Sequence, residues 1–321
     1  NGYGTGLFGH IGGLYCIGKD TQLSVLGPNG TYHGHVYNRM GQALGWKPNE
    51  AAGKLMGLAP YGSPNFYDPS MLGTYQKALQ LSDDEVGSAS DTTRAWKEYI
   101  KTSMRELGYA HSTDDVDKLP PHLVDIAASV QFFFEEQTNY FASNFHALCG
   151  RINFQPEVLG LSGGCALNCP ANSLLHRIGR FPEIFVPPSV DDSGLALGAA
   201  YLAVHDLFDI PRTLQNPYSS TSAYLGREWS ESEVKSAIKT SLADIKVDQL
   251  INPAEAAASD LIKNDIVAWF EGRSEAGPRA LGNRSILANA TQKDNWRRTN
   301  IIKKREKWRP FAPAVLEEKN Q

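Results

Sequence analysis

The sequence predicts an α/β protein of two domains, and three observations carry that prediction. Twice, at 158–161 and at 184–186, a short apolar stretch leads through a Gly- or Pro/Asp-rich turn into a helix-forming segment. Alternation of helix and strand resumes after Asn216-Pro217-Tyr218-Ser219-Ser220-Thr221-Ser222, the one stretch of clear linker composition. The 321 residues are enough for one large or two ordinary domains with a sizeable core. The expected organisation is a large domain over 1–215, a linker over 216–223 and a smaller domain over 224–321.

The elements follow in order. Strands are expected at 7–15 and 22–26 around the turn Gly18-Lys19-Asp20-Thr21. A helical pattern spans 37–58 and ends at Ala59-Pro60-Tyr61-Gly62, because proline disfavours helix in the residue before it. The polar, acidic 81–121 stretch suits a helical insertion or lid. Ile126, Val130, Phe133, Phe134, Gln137, Phe141, Phe145 and Leu148 recur at helical spacing and predict a long buried helix. The strand at 158–161 leads through Ser162-Gly163-Gly164 into a helix, and the strand at 184–186 leads into a helix over 195–208. In the smaller domain Ser230-Glu231-Ser232-Glu233 is a capping box that opens a helix. A strand at 245–251, a helix from Asn252-Pro253, a strand at 266–270 and a basic helix at 292–307 are then expected.

Composition narrows the function classes. Hydrophobic residues at 41% and charged residues at 21% exclude a disordered chain or a coiled coil. A net charge of -4 argues against a nucleic-acid or membrane-surface binder. Cys16, Cys149, Cys165 and Cys169 are expected as reduced thiols, too few for a disulfide framework. No apolar run reaches membrane-spanning length, and the first residues, Asn1-Gly2-Tyr3-Gly4-Thr5, hold neither a signal peptide nor an initiator methionine. The expected location is cytoplasmic, and the chain is expected to begin inside a longer one.

Each motif has a functional and a bland reading. Gly13 to Asp20 nearly spells a phosphate loop, but Asp20 stands where Ser or Thr must hold magnesium, so a hairpin turn is the better reading. Gly160-Leu161-Ser162-Gly163-Gly164 matches a nucleophile elbow, yet the last histidine, His205, lies close behind Asp192 and no convincing triad follows. A glycine turn whose N–H groups face a nucleotide explains the same residues, with ordinary tight-turn glycines as the alternative. Cys165 and Cys169 would need two more ligands to bind metal, and His33 and His35 would share a face on a strand without being a complete site. Asp191 and Asp192, before Gly194, suit either a cation or capping by Asp192. The densest signal is the run from Gly272 to Ser285 followed by 303–313: eleven basic residues face three acidic ones between Arg273 and Arg309. Arginine forks on Gly/Pro loops suit phosphate oxygens; a solvated basic helix and a tRNA face are the alternatives.

Three segments together resemble the O-carbamoyltransferase family of antibiotic and nodulation-factor biosynthesis. They are Ala52-Gly53-Lys54-Leu55-Met56-Gly57-Leu58-Ala59-Pro60-Tyr61-Gly62, the 161–168 run with Asp192-Ser193-Gly194, and the 273–313 block. The resemblance implies an actin-like ATPase-fold transfer domain, incomplete at its N-terminus, fused to a smaller α/β adenylate-forming domain, incomplete at its C-terminus. It implies that carbamoyl phosphate and ATP give carbamoyl adenylate with release of pyrophosphate, after which the carbamoyl group passes to a hydroxyl of a small-molecule acceptor. Arg273, Arg279, Arg284, Lys303, Arg305 and Arg309 would hold carbamoyl phosphate and the triphosphate. Gly163, Gly164, Asn168, Gly194 and Lys54 would serve the nucleotide, and Asp192 would be a metal ligand. The implied cofactors are ATP as substrate with Mg, and a divalent metal, Fe(II), in the transfer domain. The family's H-x-x-x-H metal motif is matched by none of the eight histidines, so either it lies in a segment before Asn1 or metal binding is lost. Partners are expected to be carbamoyl phosphate and an alcohol, with no nucleic acid and no membrane, and a homodimer is left open. The alternatives are a threonylcarbamoyl-type tRNA-modifying enzyme, a non-catalytic nucleotide-binding protein and a serine hydrolase using Ser162.

Overall fold

A computed structural model describes residues 14–19, 22–28, 33–67, 121–211, 223–241 and 246–319. All but the last residue of the expected linker at 216–223, and all but the last residue of the expected insertion, lie outside them. The chain divides into two units, 1–212 and 213–321.

In the first unit β1 (Leu14–Lys19) and β2 (Gln22–Pro28) form an antiparallel hairpin. Gly18 pairs with Leu23 and Lys19 with Gln22, so these two residues belong to strand and not to a phosphate loop. The first strand extends past the expected end at 15, because backbone pairing continues to Lys19 opposite Gln22; residues 7–13 of the expected strand lie outside the described residues. The single helix expected over 37–58 is two, α1 (His33–Ala43) and α2 (Pro48–Leu58). Gly45, at φ 97°, breaks the first, and Pro48 starts the second at a position where its missing N–H costs nothing.

The long helix expected from the spacing of apolar residues is α3 (Pro121–Arg151), 31 residues long. Its first half packs Ile126, Val130, Phe133 and Phe134 against Val36, Tyr37, Met40 and Leu44 of α1 and Leu55 and Leu58 of α2, all buried. The turn after α2 is tied to the same helix: Asp125 accepts from the Ser63 amide at 2.8 Å and from Asn65 Nδ2 at 2.9 Å. Its second half carries Ala142, which joins Leu159, Leu175 and Phe181 in a second cluster. That cluster anchors a parallel βαβ unit made of β3 (Val158–Gly160), α4 (Cys169–Ile178) and β4 (Glu183–Phe185). Beyond it lies α5 (Gly194–Leu202), followed by a wider π-type turn at Ala203–Leu207.

The second unit holds α6 (Glu231–Thr240), α7 (Pro253–Ile262), β5 (Val267–Phe270), β6 (Arg284–Leu287) and α8 (Asp294–Ile302). The capping box at Ser230 and Glu233 is present in both directions, and Asn252 caps α7 through the Glu255 amide at 3.1 Å. β5 and β6 pair antiparallel and frame the Gly272–Ser285 loop. Two expectations fail. Residues 246–251 are not a strand: apolar residues alone do not make one without a neighbouring edge, and Val247 and Leu250 are exposed. The basic helix ends at Ile302, not 307, because Lys304 takes a left-handed φ of 50° and the chain folds back on α8.

His33 and His35 also change character, since both lie on α1 rather than on a strand. His33 is buried, with its ring 4.6 Å from that of Phe134 and 5.5 Å from that of Phe141. Burial pushes its pKa down to about 3 from 6.5. Between those values the unfolded chain binds a proton that the folded chain refuses, so the contribution is intact above pH 6.5 and is lost as pH falls. Urea unfolding should therefore weaken by up to ~1.4 kcal/mol per pH unit over the lower part of that window. His33→Leu should flatten this acid limb; an unchanged slope would show that the ring does not sit neutral in the core.

Candidate functional site

The parallel pair fixes the first candidate site. Leu159 faces Ile184 and Gly160 faces Phe185, and the ladder extends to Leu161, whose amide donates to the Phe185 carbonyl at 2.9 Å. Both chains then turn away at the carboxyl ends of the strands, the place where open α/β sheets take ligands. The Gly163 amide donates to the Val190 carbonyl at 2.8 Å and so joins the two turns. Gly163 has φ 93°, which a side chain would strain. A Cβ on Gly194 would sit 2.0 Å from the Ser189 carbonyl oxygen, so the second turn also requires its glycine. By contrast nothing lies within 4 Å of where a Cβ on Gly164 would be, and that side of the turn opens outward.

Asn168 sits behind this opening. It caps α4 by accepting from the Ala171 amide at 3.1 Å, and its side-chain amide exchanges bonds with Gln131 of α3 at 3.0 and 3.1 Å. Tyr37 donates to the same Gln131 at 2.6 Å, and Gln131 donates to Glu135 at 2.8 Å. Asn168 is 5% exposed, so its atoms fasten the start of α4 to α1 and α3. Burial pushes the Tyr37 hydroxyl well above its ordinary pKa, against the hydrogen bonding at Asn168, and it remains a neutral donor.

Other expected residues of this unit are placed as follows. Asp191, rather than Asp192, organises the second turn, accepting from the Ser193 amide at 3.1 Å and from its hydroxyl. The carboxylate of Asp192 is exposed. It stands alone: among the described residues no group of three His, Cys, Asp or Glu side chains could hold a metal ion, so these residues do not by themselves fit one. Lys54 forms an i,i+4 ion pair with Glu50 at 2.8 Å and lies along its own helix. Ser162 is exposed, while His205 Nδ1 bonds the Ile210 carbonyl at 2.7 Å, and among the described residues no histidine is hydrogen-bonded to Ser162.

The second candidate site comprises two basic segments of the second unit, the Gly272–Ser285 cation loop and the 303–309 stretch after α8, and the structure sorts the six expected ligands they carry. Arg284 lies 3.5 Å from the ring centre of Phe270 and donates to the carbonyls of Glu271, Gly272 at 3.0 Å and Asn283 at 2.9 Å. Arg305 lies over Phe311 and donates to Asn300 Oδ1 and to the Pro310 carbonyl at 3.0 Å. Burial, with the nearby charge of Arg309, pulls its pKa below the ordinary arginine value. These two guanidinium groups brace the chain. Arg309 is 3.7 Å from Glu306, and its carbonyl accepts from Trp296 Nε1 at 2.8 Å and Asn300 Nδ2 at 2.9 Å. Arg273, Arg279 and Lys303 are exposed, and among the described residues Arg273 and Lys303 have no hydrogen-bonded or ion-paired side-chain partner.

Sequence reading passed over Glu275. Its Oε1 accepts from the amides of Leu281 at 2.9 Å, Asn283 at 2.7 Å and Arg284 at 3.2 Å. Desolvation alone would raise its pKa, but the backbone bonds outweigh it together and hold the carboxyl below the ordinary value. The available signal was a lone acid inside a Gly-rich basic loop.

Comparison with known proteins places this architecture. The family model described as Carbamoyltransferase N-terminus matches residues 10–201, and that described as Carbamoyltransferase C-terminus matches residues 258–321. The chain belongs to the carbamoyltransferase family. Nodulation protein NolNO of Sinorhizobium fredii is 33% identical over 319 residues, covering 95% of this chain and 42% of that protein. Nodulation protein U of the same organism is 31% identical, covering 97% and 52%. The 3'-hydroxymethylcephem-O-carbamoyltransferase of Streptomyces clavuligerus is 30% identical, covering 95% and 53%. The chain thus spans about half the length of these relatives. No helix among the described residues is long and apolar enough to cross a membrane.

The turn geometry makes a prediction about three positions. Gly194→Ala should destabilise the chain by about 2 kcal/mol or more through overlap with Ser189, and Asn168→Ala by about 2 kcal/mol through loss of a cap and a buried amide pair. Gly164→Ala should change stability by less than about 1 kcal/mol. Urea unfolding checks all three; equal effects at Gly164 and Gly194 would contradict the placement of the turns.

Proposed function

We propose that this chain takes part in ATP-dependent O-carbamoyl transfer. The observation that carries the reading is the pair of basic segments: within a carbamoyltransferase C-terminal match lies a run in which some arginines are fixed to carbonyls while Arg273 and Lys303 stand exposed. In this reading the second unit is the adenylate-forming domain. Carbamoyl phosphate and ATP, with water, give carbamoyl adenylate, phosphate and pyrophosphate, since atom balance requires the donor's own phosphate to leave as well. Arg273, Arg279 and Lys303 bind the phosphate oxygens, and Arg309, only loosely set against Glu306, joins them when an anion arrives. Arg284 and Arg305 act by holding the loop and the return segment in place.

The first unit, as an actin-like-fold transfer domain, takes the adenylate at the open side of Gly164, where the first N–H groups of a helical turn lack intrahelical partners. There an acceptor oxygen attacks the carbamoyl carbon and AMP leaves, its proton passing to solvent or to a base. The name of the Streptomyces clavuligerus relative supports a hydroxymethyl-type alcohol on a small molecule as the acceptor class. Family membership in both halves supports this reading over a tRNA-modifying enzyme, a non-catalytic nucleotide binder or a serine hydrolase.

Pyrophosphate release that requires carbamoyl phosphate is the test. Arg273→Ala should lower it at least about tenfold, in keeping with loss of one charge-assisted contact to a phosphate. Release that is unchanged in this variant, or that proceeds equally without carbamoyl phosphate, would contradict the assignment.

A further inference from the structure

We propose that Glu275 is a positioning residue of the cation loop: it serves as an oxygen acceptor that sets the loop's shape, and its charge does not contact the ligand. The inference rests on the anion-binding reading above and extends it to a residue of opposite sign. An acid amid arginines would ordinarily weaken anion binding, so its presence calls for a physical reason. The three amides that converge on Glu275 Oε1 belong to the returning arm of the loop, at Leu281, Asn283 and Arg284. Arg284 reaches the other way, to the carbonyls of Glu271 and Gly272 on the outgoing arm. Asn283 completes the tie, donating from Nδ2 to the Arg273 carbonyl at 2.7 Å and accepting the Glu271 amide at 3.1 Å.

The two arms are thus cross-linked by side chains on both sides, and exposed Arg273 is held through its own carbonyl by Asn283. Three further contacts hold the frame to the 223–226 segment. Ala276 donates to the Ala223 carbonyl at 2.6 Å, Gly226 to the Ser274 carbonyl at 2.9 Å, and the Tyr224 hydroxyl to the Leu281 carbonyl at 2.9 Å. Glu275 occupies the concave row of N–H groups, a place where an anion would otherwise bind, so ligand phosphates are left to the arginine side chains.

A single oxygen accepts all three bonds, so the amide oxygen of glutamine can replace it, whereas alanine cannot and aspartate is one methylene short. Two measurements on the full chain decide the matter: hydrogen exchange of the 279–285 peptide by mass spectrometry, and calorimetric binding of inorganic pyrophosphate and carbamoyl phosphate. Glu275→Ala should speed exchange at 281–284 at least about tenfold and weaken anion binding by a similar factor. Glu275→Asp should fall between, and Glu275→Gln should restore protection and bind within about threefold of the unmodified chain. Unchanged exchange in Glu275→Ala would overturn the brace whatever the chain binds. Binding lost equally in Glu275→Gln and Glu275→Ala, with exchange restored only in the former, would overturn the acceptor role in favour of a role for the charge. An unmodified chain that binds neither anion would overturn the anion reading, and with it the positioning role, even if exchange behaved as expected.

Discussion

Like charges crowded into a short stretch of chain repel, and in the second unit that repulsion has to be resisted by the protein itself. Eleven basic residues against three acidic ones between Arg273 and Arg309 set the problem. The solution is to convert part of the positive charge into structure. Arg284 and Arg305 are stacked on Phe270 and Phe311 and hydrogen-bonded to backbone carbonyls, where each guanidinium meets partial negative charge at several points. Glu275 takes the opposite part, receiving N–H groups from the same loop. With those charges fixed, Arg273 and Lys303 stand exposed beside braced segments, and in the proposed reading that reduces the reorganisation that anion binding requires.

The first unit solves a different problem by close approach. Two turns at the ends of parallel strands are drawn together by the bond from Gly163 to Val190; the positive φ of Gly163 and the close approach of Gly194 to Ser189 each call for glycine. The support behind them is polar and buried. Asn168, Gln131 and Tyr37 form a fully engaged network between α4, α3 and α1, which fixes where α4 begins. Placing the opening of Gly164 therefore depends on residues of the long helix, far away in sequence.

Much of this was legible in the sequence, and the gaps have physical causes. The apolar spacing in α3, the capping box at Ser230 and the glycine turn after β3 are local signals with local causes, and each stands where it was read. The expected strand at 245–251 failed because strand formation needs a partner edge, which apolar composition does not announce. The break between α1 and α2 was hidden because Gly45 and Pro48 interrupt a hydrophobic pattern that continues across them. At the candidate sites, residue type marked out the glycine turns and the basic segments as candidates. It could not tell exposed Arg273 from braced Arg284, since that depends on which carbonyls the folded loop presents, nor buried Asn168 from a ligand-facing amide.

The central claim is chemical: the carbamoyl group is carried on AMP before it reaches an alcohol. Incubating the full chain with carbon-13-labelled carbamoyl phosphate and ATP, then quenching rapidly for mass spectrometry, addresses it most directly. The account predicts a labelled adduct with the mass of carbamoyl adenylate, formed only when both substrates are present. Labelled carbamoyl product formed from carbamoyl phosphate in the absence of ATP would contradict it.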